Sequence, residues 1–527
     1  MSAPDVEVLV VGAGITGIYQ LHRALEAGFS ALLVEAGDGV GGTWFWNRYP
    51  GARFDSESYT YAYLFSRELF EEWEWQEHFA EQPEIERYLN HVVDRFDLRG
   101  HIRCGAQLTG AVWGDDGWTV TVADGSQITS RFLIAATGVF SVPYFPDVPG
   151  RESFRNPSHH TARWPAAGVD VAGKRVAVIG TGSSGVQLIP LVAEEAAELT
   201  VYQRSANWCT PLNNAPITAD EQARLRADFE RIREILNTSA SGFLHTPHDR
   251  ATFDDSEDER LAFFERMWNS PGFSKLISHY TDVMFDPAAN AVWCDFIAEK
   301  VRGLVDDPEV AERLIPTDHR FAEKRPPFVT DYYETYNRPN VSLVDLKATP
   351  IVRITETGIE TSEGLRELDV IVWATGFDFG TGALTRMGIR GRNGLALEEH
   401  WADGPKTFLG VQAAGFPNLF FPGGPHAAAG NNPRYNGDQV DFITDALVHV
   451  RARGSTTIEV DPEAEDRWTD MVDSNAGLSS FGESSYYFGT NIPGKPRKFL
   501  LNSGGRPKLF KEIARVKATD YQAFRFS

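Results

Sequence analysis

At 527 residues the chain has room for two to four domains of roughly 150 residues each, and 42% hydrophobic with 12% aromatic residues is enough for large cores. A formal net charge of −23 argues against nucleic acid and anionic membrane as partners, while leaving room for a local basic pocket that takes a phosphate. Cys104, Cys209 and Cys294 lie far apart without a CxxC pair, which removes a dithiol redox centre and a cysteine zinc site and suits a reducing compartment.

The N-terminus, Met1-Ser-Ala-Pro-Asp5, enters a short apolar strand directly, with no basic and long apolar leader. No run of about 18 apolar residues occurs, so no membrane span and a cytoplasmic location are expected. Val6–Val11 has the β-branched, apolar character of a buried parallel strand. Gly12-Ala-Gly14-Ile-Thr-Gly17 follows, then a helical pattern through Leu21 and Leu25, then a second strand, Ala31–Val34, ending at Glu35. Strand, GxGxxG, helix, strand and acid together describe a dinucleotide site. The glycines admit a pyrophosphate, the helix N-terminus favours its charge, and the acid bonds a ribose hydroxyl. An acid at that strand end suits an unphosphorylated ribose, hence FAD or NAD. The stretch Gly41-Gly42-Thr43-Trp44-Phe-Trp46-Asn-Arg-Tyr49-Pro-Gly51-Ala-Arg-Phe-Asp55 continues from it, and Trp44, Trp46 and Tyr49 are suited to walling a flat ring. The plainer reading is a glycine-aromatic loop packed on the core.

Tyr59 to Arg95 is aromatic and acidic and reads mostly as core. Ile102 to Ala136 reads as short strands with a hairpin turn at Asp124-Gly125, ending in Ala135-Ala-Thr137-Gly138. Pro143, Pro146 and Pro149 make a stiff linker. Phe154 to Pro165 reads as an aromatic-flanked loop containing His159 and His160. Arg175–Ile179 is the next strand, Gly180-Thr-Gly182-Ser183-Ser184-Gly185 the next GxGxxG, and Leu199–Tyr202 the strand after its helix. This strand ends in Gln203-Arg204-Ser205 rather than in an acid. A guanidinium binds a 2′-phosphate where a carboxylate would repel it, so this site reads as NADPH rather than NADH.

Thr218-Ala-Asp-Glu221 has the form of a capping box, and Leu225, Phe229, Ile232 and Leu236 fall on one helical face. From there to about Leu314 the pattern is helical; His245 and His248 read as loop residues, not metal ligands, and no metal is expected. Lys324-Arg325 precedes a double proline, a pattern that by itself is a plain surface turn. Val341–Val344 and Asp369–Trp373 are further strands, the latter running into Ala374-Thr375-Gly376-Phe377-Asp378. Pro417 to Pro425 reads as an apolar strand ending in a Gly-Pro turn.

Phe154, His160, Trp164 and Pro165 stand in the order FxGxxxHxxxWP, with Asn156 where the motif has Gly. The stretch from Gly41 to Asp55 fits GGxWxxxxYPGxxxD at every fixed position. Together with the Lys324-Arg325 block and the ATGFD crossing, these resemble the Baeyer–Villiger monooxygenases over nearly the whole chain. The family comprises flavoproteins that use NADPH and O2 to convert ketones to esters or lactones through a flavin C4a-peroxide. The resemblance implies that Arg325 is the catalytic cation, that Asp55 orients it beside the flavin, and that Lys324 helps hold the 2′-phosphate. It implies further that Phe154, His160 and Trp164 form the fingerprint, with His160 acting through loop geometry between the domains. Tyr486 replaces a Trp that closes over the nicotinamide. The cofactor-binding set is then Gly12, Gly14, Gly17, Glu35, Gly42, Thr43, Trp44, Tyr49 and Asp55 for FAD, and Gly180, Gly182, Ser183, Ser184, Gly185, Gln187, Arg204, Ser205, Lys324 and Tyr486 for NADPH. The expected fold class is α/β, with two Rossmann-like domains. The flavin domain takes residues 1–150 and 379–527, the NADPH domain 151–216 and 326–378, and a helical insertion 217–325. The competing readings are a class B flavin monooxygenase acting on nitrogen or sulfur, and a non-oxygenating protein that binds both cofactors. Which ketone is taken, and the oligomeric state, are not encoded in these motifs.

Overall fold

The computed structural model describes residues 4–114, 117–427 and 429–527, so Met1 to Ala3, Asp115, Asp116 and Ala428 lie outside the description. Two parallel sheets organise it. In the first, Val6–Val11 lies between Ala31–Val34 and Gln127–Ala135, parallel to both. The antiparallel strands Leu108–Trp113 and Trp118–Val122 extend it on one side and Ile102–Arg103 on the other. Chain from far downstream completes it: Ile389–Arg390 pairs with Leu108–Trp113, and Leu419–Phe420 with Gln127–Ala135. The second sheet has the order Val341–Asp345, Glu198–Gln203, Arg175–Ile179, Val370–Trp373, Ser158–His160, all parallel. The central strands are buried along most of their length, as runs such as Val-Ile-Val-Trp require when helices cover both faces. Among the described residues no helix is long and apolar enough to cross a membrane.

Three stretches differ from their sequence pattern. Ser158–His160 reads as loop but forms the edge strand of the second sheet, in register with Ile371 to Trp373. A three-residue edge strand is too short for alternation to reveal it. In Pro417 to Pro425 only Leu419–Phe420 pairs as strand. The helical face from Leu225 to Leu236 is interrupted at Asp228, giving Ala219–Ala227 and Phe229–Thr238, with the Thr218–Glu221 capping box formed.

Packing divides the helical segment. Phe229, Ile232 and Leu236 join the core beneath the first sheet, whereas Phe263, Phe264, Trp268, Trp293 and Ile297 join the core of the second. Residues 217–325 therefore span both halves rather than decorating one. Asn156 has no left-handed backbone, so the glycine of the motif is not needed there for its φ. Its side-chain amide instead donates to the Leu368 carbonyl at 3.1 Å. Asn156→Gly is expected to cost about 1 kcal/mol of stability in a denaturant titration and to change turnover less than about twofold.

Three buried histidines make stability sensitive to pH. Burial pushes His160 down to about 4, His279 to about 3 and His426 to about 4. Each folded value lies below the unfolded value of about 6.5, so in that window the unfolded chain binds protons the folded chain refuses. Stability present above pH 6.5 should fall as pH drops toward 4, by on the order of 2 kcal/mol per histidine. The check is Tm between pH 7.5 and 4.5, and His279→Phe should flatten the slope.

Candidate active site

The two glycine-rich turns open onto one continuous cleft of about 1350 Å³ between the sheets. They are built alike. Gly12 has φ +102°, and a Cβ there would meet the Ala136 carbonyl at 2.6 Å; Gly180 has φ +108°, with the Ala374 carbonyl at 2.5 Å. Each first glycine is therefore pressed against the segment that crosses between the halves, Ala135 to Gly138 in one case and Ala374 to Gly376 in the other. Gly17 and Gly185 let each helix seat on its own turn, their Cβ positions lying 1.8 Å and 2.2 Å from the Gly12 and Gly180 carbonyls. At Gly182 a Cβ would meet nothing within 4 Å and would project into open space. That open face, at the N-terminus of Ser183–Glu195, fits a diphosphate. Gly12→Ala is expected to yield folded protein without flavin's visible absorbance, because both φ and the Ala136 contact forbid the new methyl group.

Glu35 ends the second strand, buried, its carboxylate accepting from the Ala13 and Gly37 amides at 2.7 and 2.8 Å. Gly14 and Gly42 abut, and Thr43 opens the short helix Thr43–Trp46. Trp44 donates from Nε1 to the Tyr61 hydroxyl at 3.0 Å and meets Phe54 edge-on. Trp46 carries the Arg163 guanidinium 4.4 Å above its ring. Tyr49 turns away from a purely walling role: its hydroxyl donates to Gln187 Oε1 at 2.8 Å, and Gln187 Nε2 donates to the Arg53 carbonyl at 3.0 Å. These contacts tie the aromatic loop of the first half to the nucleotide helix of the second.

On the second half Arg204 is exposed at the strand end and Ser205 is half-buried beside it. Lys324 Nζ donates to Ser205 Oγ at 3.1 Å. Burial lowers the Lys324 ammonium, Asp318 pulls it up, and Arg204 and Lys347 push it further down. Arg204, Ser205 and Lys324 thus come together.

The centre of the cleft holds the pair separated by 270 positions in sequence: Arg325 Nη2 donates to both oxygens of Asp55, at 2.6 and 2.7 Å. Arg325 Nη1 reaches Ser183 Oγ at 3.4 Å, and the guanidinium lies 5.3 Å over the Phe273 ring. Burial works against the charged form, but the Asp55 carboxylate outweighs it and leaves Arg325 above its ordinary value. The guanidinium stays charged. Tyr486 packs on Phe379 and on Tyr487, with ring centres 5.4 and 4.3 Å away, and Phe140 lies edge-on beyond. Burial raises both phenols, so both are neutral.

The fingerprint residues do not converge. Phe154 packs beside the three-stranded sheet, Trp164 enters the second core, and His160 is buried between Phe145 and Phe377, ring centres 5.0 and 5.9 Å away. His160 Nδ1 accepts from the Ala162 amide at 3.0 Å. Phe145 and Phe377 lie just past the two crossing segments, and His160, which does not line the cleft, packs between them. Residues without a signal in the sequence also line the cleft. Phe243 stacks on Phe273 at 4.7 Å and Tyr487 flanks Arg325, while Asp318 lies just outside the cleft beside Lys324 and Lys347. Asp318 alone was visible in principle, as an acid just ahead of the Lys-Arg pair.

The chain is 42% identical, over 100% of its length and 99% of the relative's, to the 2-oxo-Δ3-4,5,5-trimethylcyclopentenylacetyl-CoA monooxygenase of Pseudomonas putida. It is 36% identical, over 98% and 95% of the two chains, to a Baeyer–Villiger monooxygenase of Pseudooceanicola batsensis. The chain belongs to the Baeyer–Villiger monooxygenases. Another relative of this family member is the phenazine N-monooxygenase PhzNO1 of Lysobacter antibioticus, 40% identical over 98% and 96% of the chains. The fold agrees: a crystal structure of OTEMO in complex with FAD and NADP superposes with TM-score 0.96 at 42% identity, covering 100% of both chains. Residues 9–254 also match the family model for pyridine nucleotide-disulphide oxidoreductases. That match carries the nucleotide-binding architecture, not dithiol chemistry, since Cys104, Cys209 and Cys294 are all free and none lines the cleft of this Baeyer–Villiger monooxygenase.

Proposed function

We propose that this chain is an FAD-containing, NADPH-consuming Baeyer–Villiger monooxygenase that inserts one oxygen atom of O2 beside a ketone carbonyl. The product is an ester or lactone; the second oxygen atom leaves as water and NADPH supplies the two electrons. The observation that carries this is the Asp55–Arg325 pair inside the cleft shared by both glycine-rich turns. FAD, reduced by NADPH, supplies the activated oxygen. The rest falls to the chain's own residues. Gly12, Gly14, Gly17, Glu35, Gly42, Thr43, Trp44 and Tyr49 hold FAD; Gly180, Gly182, Ser183, Ser184, Gly185, Gln187 and Tyr486 hold NADPH. Arg204, Ser205 and Lys324 select the 2′-phosphate. Arg325 meets the negative charge that grows on the carbonyl oxygen, and its proton never leaves. Asp55 fixes the guanidinium through Nη2 and leaves Nη1 turned to Ser183 Oγ. Phe243, Phe273 and Phe481 make the substrate side of the cleft apolar, which strengthens that charge interaction by excluding water.

The test is ketone-dependent NADPH consumption by the purified flavoprotein across linear, small-ring, large-ring and polycyclic ketones, with product mass measured. NADPH oxidation without ester or lactone from any ketone overturns the proposal. The phenazine N-monooxygenase relative favours a second reading, oxidation of a nitrogen centre. Oxygen transfer to a neutral nitrogen builds less negative charge on the substrate, so that activity should survive Arg325→Ala where ester formation does not.

A further inference from the structure

Asp318 is an acid in the middle of a cationic pocket. Its Oδ2 accepts from Lys347 Nζ at 2.8 Å and from Ser205 Oγ at 2.9 Å; its Oδ1 lies 2.5 Å from His319 Nδ1 and 3.8 Å from Lys324 Nζ. Arg204 stands at the adjacent strand end and, among the described residues, makes no ion pair. Burial works against the Asp318 carboxylate, but hydrogen bonds from Lys347, His319 and Ser205 hold it well below the usual carboxylate range, so it is charged at every working pH. His319, lowered by burial more than Asp318 raises it, is neutral and donates without adding charge.

Lys324 and Lys347 flank this carboxylate, and Arg204 acts on Lys324 from the adjacent strand end, three cations to one acid. The pocket carries a net charge of about +2, the counterpart of a phosphate monoester at neutral pH. Without Asp318 it would carry about +3 and would hold such a phosphate more tightly than charge balance requires. Resting on the reading of Arg204, Ser205 and Lys324 as the coenzyme's phosphate pocket, we propose that Asp318 is its built-in counter-anion. It holds Ser205 and Lys347 in position beside Lys324, and its charge weakens the grip on the 2′-phosphate so that oxidised coenzyme can leave. Asp318 is a positioning residue: it acts through Ser205 and the lysines. The acid is thus placed to set affinity for the phosphate, not affinity for the rest of the nucleotide.

The experiment compares the flavin-loaded wild type with Asp318→Asn, which keeps the shape and hydrogen-bonding reach of the side chain. The probes are 2′,5′-ADP and ADP, with NADP+ and NAD+ as full-length counterparts, titrated by calorimetry. Asp318→Asn should bind 2′,5′-ADP and NADP+ about tenfold more tightly, leave ADP and NAD+ unchanged, and lose most of that gain at high salt. Unchanged or weaker binding of the phosphate-bearing probes overturns the proposal. Lys347→Gln supplies a second arm: removing a cation that Asp318 holds should weaken 2′,5′-ADP about tenfold with ADP unaffected, and equal losses for both probes overturn it. Arg204→Ala separates the two layers. If that variant binds 2′,5′-ADP as the wild type does, the pocket assignment itself fails, whatever Asp318→Asn shows.

Discussion

Arg325→Ala is expected to lower ester or lactone formation by about 10³-fold while NADPH still reduces the flavin at close to the wild-type rate. Removing a single neutral oxyanion donor from an enzyme costs about 10²- to 10³-fold, and here a full charge is lost from a water-poor cleft. The NADPH turn, Arg204 and Lys324 are left in place, so hydride delivery has no reason to fail. Electrons would then reach O2 without reaching product, and NADPH consumption should become uncoupled, with hydrogen peroxide in place of ester. Arg325→Lys should recover only part of the loss, because an ammonium cannot donate to Asp55 and point at substrate with one rigid plane. The variant also leaves the Asp55 carboxylate, only 15% exposed, without its partner. That costs about 3 kcal/mol of stability, so rates should be compared well below each variant's Tm. Asp55→Ala should follow the same pattern with a smaller loss. The measurement is product formed per NADPH consumed; coupling retained in Arg325→Ala would sink the assigned role.

The second large effect concerns the coenzyme. Substituting Arg204 and Lys324 together by Ala should raise KM for NADPH about 10²- to 10⁴-fold. A hydrogen bond to a charged group contributes about 1.5 to 3 kcal/mol, and two are removed. KM for NADH should change less than about threefold, since neither side chain has a phosphate to meet there. Comparable losses with both coenzymes would mean that the two residues support the fold of the strand end rather than the phosphate.

Legibility in the sequence followed the range of the interaction. Gly12 and Gly180 could be placed from spacing alone, because each must have a left-handed backbone within a strand–turn–helix unit, and nothing outside that unit sets the requirement. Glu35 and Arg204 at the two strand ends were equally readable. The Lys324-Arg325 pair was not: on its own it is a turn with two cations, and only resemblance singled it out. Nor did the helical face of Leu225 to Leu236 state which core it would join, since amphipathicity records that a face is buried but not against what.

The residue order by itself determined two nucleotide turns, the opposite charge of their ribose ends, and the α/β alternation around them. Each of these is fixed by backbone sterics and hydrogen bonding inside a few dozen residues. Only the tertiary structure decided how Asp55 grips Arg325, that Tyr49 meets Gln187, that Ser158–His160 is a strand, and that Asp318 sits between Lys324 and Lys347. Those contacts join segments that the chain brings together only when both sheets have formed and packed, so no local pattern encodes them.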